Sequence, residues 1–94
     1  MSIKIFKHKT ERHHIIAKIH SRAKEARDIF VKECGRNIND DENIARVRTK
    51  YHKVMYTTVY FDAINDCIRS AYQTGGDSAV ITVLKELQDV LEDL

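Results

Sequence analysis

The stretch DDENIARVRTKYHKVMYTTVYFDAINDCIRSAYQ, residues 40–73, decides the fold. Asn39 is followed three residues later by Glu42, a variant of the capping box, so a helix is predicted to start near Asp40. Ile44, Val47, Tyr51, Val54 or Met55, Thr58 and Phe61 fall at helical spacing, and Ile64, Ile68 and Ala71 continue it. Tyr56 to Phe61 are β-branched or aromatic, which suits a strand. Helical periodicity on both sides favours a single helix over 40–73, with a kink near 56–61 as the alternative. Thirty-four residues at ~1.5 Å each span about 50 Å. A compact domain of this length has a radius of gyration of about 12 Å. Such a rod outruns a monomer, so a homodimer built along it is expected.

Two further helices are predicted around this one. Ile16, Ile19, Ala23, Ala26, Phe30 and Cys34 repeat at intervals of three and four, widened by Ile15 and Ile29. A helix over about 10–34 follows, with Thr10 as N-cap and Gly35 at the left-handed position that ends it. Thr74-Gly75-Gly76 is the clearest break, and Asp77 caps a last helix over 77–93. Val80, Leu84, Leu87, Leu91 and Leu94 form its apolar stripe. Residues 1–9 form a short basic arm. With no proline and three glycines in 94 residues, the expectation is a single all-α, three-helix domain.

Charge is divided along the chain. Residues 1–53 hold fourteen of the sixteen Lys and Arg and all five His, whereas residues 54–94 hold seven acids against Arg69 and Lys85. The basic half calls for an anion, or for the acidic helix of a second copy. Cys34 and Cys67 are too few for a disulfide framework and read as small apolar side chains in a reducing cytosol. No segment reaches the ~20 apolar residues of a membrane span, and no apolar run follows Lys4, Lys7 and Lys9 as a signal peptide requires. A cytoplasmic location is expected.

The candidate anion-binding residues lie on the predicted helices. His13, His20, Lys24 and Arg27 share one flank of the first, and His14, Lys18 and Arg22 share another, with Lys7 and Lys9 just before them. Arg46, Lys50 and Lys53 form a stripe at i, i+4 and i+7 on the second. Phosphates reward such a face because each one neutralised releases counterions. A metal site is not expected, because His13 and His20 on one helix would stand about 10 Å apart. No cofactor motif and no P-loop is present.

Arg46 and His52 read R-x5-H (RVRTKYH). This resembles the R-x4–6-H signature of HEPN ribonucleases, all-helical dimers whose paired Arg and His cleave RNA without metal. The polar residue that commonly follows the Arg in that family is Val47 here. The resemblance implies a catalytic Arg46–His52 pair; a His suits general acid–base work near neutral pH.

The sequence thus leads to a small non-enzymatic regulator or inhibitor that binds RNA, DNA or a nucleotide through the basic face. A protein-interaction module with an acidic protein partner is the second reading, and the HEPN-like ribonuclease the third.

Overall fold

The computed structural model describes residues 9–94. The fold is not all-α. Thr10–His14 form strand β1 and Ile44–Arg48 form strand β2. They pair antiparallel, with Arg12 opposite Arg46 and His13 opposite Ala45. Between them lie a 3-10 turn (Ser21–Ala23), the short helix α1 (Lys24–Asp28) and a wider π turn (Ile29–Glu33). A second 3-10 turn, Asp41–Asn43, leads into β2. Helix α2 (Thr49–His52) follows β2 directly, and α3 (Thr58–Glu92) completes the chain.

Two predicted helices fail for local reasons. In the expected 10–34 helix, Ile15, Ile16 and Ala17 are all buried in succession, while Ile19 is 88% exposed. Three consecutive buried side chains do not lie on one helix face. Helical structure begins only after His20, whose Nδ1 accepts the backbone N–H of Arg22 (3.2 Å). From there Ala23, Ala26, Phe30 and Cys34 do point into the core, and Gly35 takes φ 65°.

In the expected 40–73 helix, residues 44–48 are a strand. Ala45 and Val47 are buried and Arg46 between them is exposed, the period of two that a sheet imposes. Lys53 to Thr57 then separate α2 from α3, and the Thr57 hydroxyl accepts the N–H of Tyr60 (3.1 Å) as N-cap. The strand-like residues Thr58 to Phe61 are therefore the first turn of α3.

Helix α3 counts 35 residues. Straight, it would run about 52 Å, yet the molecule's longest extent is 44 Å. It bends at Gly76 (φ 65°, ψ −150°), a conformation that favours glycine. A Cβ on the neighbouring Gly75 would come within 2.6 Å of the Ala79 Cβ. With Ile44–Arg48 a strand and α3 starting only at Thr58, the rod of about 50 Å over 40–73 does not form, and the length argument for a homodimer goes with it.

The core joins Ile15, Ile16, Ala26, Phe30, Ala45 and Val47 to Ile64, Ile68, Val80 and Leu84 of α3. The far end of α3 also closes the outer edge of β2. Glu92 accepts the N–H of Arg46 (2.8 Å) and Gln88 donates to the carbonyl of Ile44 (2.5 Å). Edge groups that would otherwise invite another strand are thus satisfied. Among the described residues, no helix is long and apolar enough to cross a membrane.

Candidate active site

Strand alternation sends Glu11 and His13 to one face of β1, and Arg12 and His14 to the other. His13 is 1% exposed. The short α2 brings His52 back against this strand, so that the His13 and His52 rings meet edge to face with centroids 5.3 Å apart. Tyr60, in the first turn of α3, closes the cluster from beneath.

Asn43 fixes the loop that follows His14. It is fully buried. Its Oδ1 accepts the N–H of Ile16 (2.7 Å), and its Nδ2 donates to the carbonyls of Ile16 (3.0 Å) and Ile38 (2.9 Å). Its own carbonyl accepts the N–H of Ile15 (2.9 Å). One side chain thereby ties the end of β1 to the start of β2.

The hydrogen bonds assign a proton to each histidine. The Tyr60 hydroxyl donates its single proton to the carbonyl of Ile15 (2.7 Å). It must therefore accept from His13 Nε2–H (2.8 Å). His13 Nδ1 is left as a bare lone pair, buried and without a partner. The Glu11 carboxylate accepts from His52 Nδ1–H (3.0 Å), which leaves Nε2 of the neutral His52 ring bare. Asn39 presents its carbonyl oxygen to His14 Nε2 (2.8 Å). That nitrogen donates, and Nδ1 of the neutral His14 ring is free to take a proton. The Tyr56 hydroxyl donates to the backbone carbonyl of His14 (2.6 Å), which sets the height of the ring.

Burial, reinforced by the neighbouring His52 and His14, lowers the pKa of His13 to about 4. Its ring stays neutral at ordinary pH. Burial also raises Tyr56 to about 12 and pushes Tyr60 up, so both hydroxyls keep the proton that the network requires.

The cluster opens on a groove of about 610 Å³ whose lining includes Arg12, His14, Lys18, His20, His52 and Tyr56. A smaller cleft of about 280 Å³ is lined by Lys9, Arg48, Thr49, Lys50 and Lys53. The candidate residues named from sequence therefore scatter. His14, Lys18 and His20 meet in the groove, and Lys9, Lys50 and Lys53 meet in the cleft. Lys7 lies outside the described residues. Arg22 is exposed within the first 3-10 turn, and Arg46 is exposed on β2. Lys24 pairs with Asp28. Arg27 donates to the carbonyls of Ala17 (3.0 Å) and His20 (2.9 Å), which braces the loop. Glu11, Asn39 and Asn43 were not among the candidate site residues named from sequence. The adjacent pair His13-His14, with Asn43 and His52 downstream, was the pattern that carried them.

A neutral His13 ring set edge to face against His52, beside a groove lined by His14, Arg12 and Lys18, is equipment suited to chemistry on phosphate esters. Residues 6–94 match the model of the AHH family, described as a nuclease family of the HNH/ENDO VII superfamily with conserved AHH. The chain belongs to that family. Neither a curated protein nor a solved structure matches it. Its single pair of adjacent histidines is His13-His14, and Arg12 precedes it where the family description has alanine.

Membership of a nuclease family overturns the expectation of a non-enzymatic regulator or inhibitor, and with it the interaction-module reading. It also replaces the HEPN-like alternative. Arg46 stands outward on β2 opposite Arg12, while His52 is bonded to Glu11 and set against His13. Nucleic acid as the class of partner is compatible with the family.

Proposed function

We propose that this chain hydrolyses phosphodiester bonds of nucleic acid, with His14 as general base. The observation that carries the reading is the fixed protonation of the histidine cluster: Asn39 holds the His14 proton on Nε2, so Nδ1 is the nitrogen that takes one. His14 Nδ1 removes a proton from water as the water oxygen bonds to phosphorus. The bond from phosphorus to the leaving oxygen breaks, and that oxygen gains a proton from solvent. Asn39 and Tyr56 keep the ring in register with the groove.

His13 Nδ1 and His52 Nε2 fit a divalent cation. His13 Nδ1 is buried without a partner, His52 Nε2 is the nitrogen that its bond to Glu11 leaves over, and imidazole nitrogen suits zinc, nickel and related ions. Glu11 on the far nitrogen of His52 is the outer carboxylate that orients metal-binding histidines. Among the described residues no group of three or more His, Cys, Asp or Glu is arranged to hold a metal ion, so the protein would supply two nitrogens, fewer than the three protein ligands usual in a catalytic zinc site. A bound cation would supply Lewis acidity to the phosphate oxygens. Lys18 and His20, which line the groove, and Lys9, Lys50 and Lys53, which line the cleft, would meet flanking phosphates.

The test is cleavage of DNA and RNA oligonucleotides with magnesium, manganese, zinc or nickel, with and without chelator. Cleavage that chelator stops and that His14→Ala lowers about 10²- to 10⁴-fold is expected, with the melting temperature unchanged. No cleavage under any of these ions, or a His14→Ala variant as active as the parent, would sink the reading.

A further inference from the structure

Arg12 marks where this chain departs from the AHH of its family description, and its surroundings give the departure a use. Strand alternation sets it on the face of β1 that carries His14, and both side chains line the groove together with His52. Its cross-strand neighbour is Arg46. Like charges directly opposite on a sheet destabilise it, so this arrangement does not serve the fold.

The other guanidiniums sharpen the point. Arg36 is bonded to Glu42, and Arg69 to Glu25 and Asp66. Arg27 holds two backbone carbonyls. Among the described residues, Arg12, Arg22, Arg46 and Arg48 have no carboxylate within ion-pair distance. Of these four, Arg12 is the one that lines the histidine groove. A guanidinium offers a planar fork of N–H donors that matches two phosphate oxygens at once.

We propose that Arg12 clamps the phosphate presented to His14, binding its non-bridging oxygens and stabilising the charge that grows on them as water attacks. An alanine at this position would contribute no charge, so this chain carries within its own strand a cation that the family's motif does not provide. The inference rests on the nuclease reading above.

The experiment compares the parent chain with Arg12→Ala, Arg12→Lys and Arg36→Ala on one cleaved oligonucleotide. In parallel, binding is measured in the His14→Ala background, with either a phosphate or an uncharged methylphosphonate at the cleaved position. Expected are a kcat about 10²-fold lower for Arg12→Ala, partial recovery with Arg12→Lys, and the parent rate for Arg36→Ala. Adding Arg12→Ala to the His14→Ala background should weaken binding to the phosphate oligonucleotide and not to the methylphosphonate. The melting temperature of Arg12→Ala should hold or rise as the repulsion with Arg46 is relieved. Full activity in Arg12→Ala, or an equal loss of binding on both oligonucleotides, would overturn the clamp and leave the nuclease reading standing. A parent chain that cleaves nothing would overturn both.

Discussion

The strand pair and the long helix treat polar groups in opposite ways. On β1 and β2, Arg12 faces Arg46, a buried histidine keeps an unpaired nitrogen, and the nearby carboxylate of Glu11 is occupied with His52. On α3, Arg69 is held between Glu25 and Asp66, Thr74 bonds back to the carbonyl of Ser70, and buried positions are apolar. Polar groups left wanting cost stability and are tolerated where they do chemistry. In the proposed reading α3 is mainly scaffold, and the strands carry most of the candidate site.

The sharpest way to break this contrast is Asn43→Ala. It removes one buried acceptor and two donors at the joint between the strands, and leaves Ile16 N–H and two carbonyls without partners. A loss of about 3 kcal/mol or more is expected, read as the urea midpoint. A loss below ~1 kcal/mol would mean the strand joint is held elsewhere.

Acid is the next probe. The folded chain holds His13 down at about 4, against 6.5 for an unperturbed ring. Between these values the unfolded chain binds more protons, so stability rises with pH over this window. Acidification from pH 7 to 4 should remove up to about 3 kcal/mol. His13→Asn should flatten that slope; an unchanged slope would assign it to other groups.

Gly76→Ala tests the scaffold. A side chain forced into that backbone conformation costs on the order of 1–3 kcal/mol, so the melting temperature should fall while His14-dependent cleavage survives below it. The smallest effect is expected from Arg69→Ala. Exposed ion pairs contribute little, and thermal melting should scarcely move even though two carboxylates lose their partner.

Much of α3 was legible because periodicity is reliable where one face of a helix meets one core. Ile64, Ile68, Val80 and Leu84 sit at that spacing and are buried. The strands were hidden for two reasons. Each is five residues long, too short to outweigh the helical pattern on either side. In addition, Ile15 and Ile16, which follow β1 and are held by Asn43, fell by chance at positions that extended the seam of Ala23, Ala26 and Phe30. The site was hidden because its parts are far apart in the chain. Reading His13 and His14 as neighbours on a helix set them about 100° apart and set His13 against His20. The sheet sets His13 against His52 instead. Once Ile44 to Arg48 is a strand, Arg46 and His52 no longer share a helix.

The Tyr60 hydroxyl links two stretches that are remote in sequence: the end of β1, through His13 and the Ile15 carbonyl just after it, and the first turn of α3. Its single proton decides which nitrogen of His13 stays bare. The readiness of the site is therefore a property of the folded chain as a whole, arriving only when the last helix docks. A shortened chain that ended before Tyr60 would keep both histidines of the motif, yet nothing in it would choose between the two nitrogens of His13.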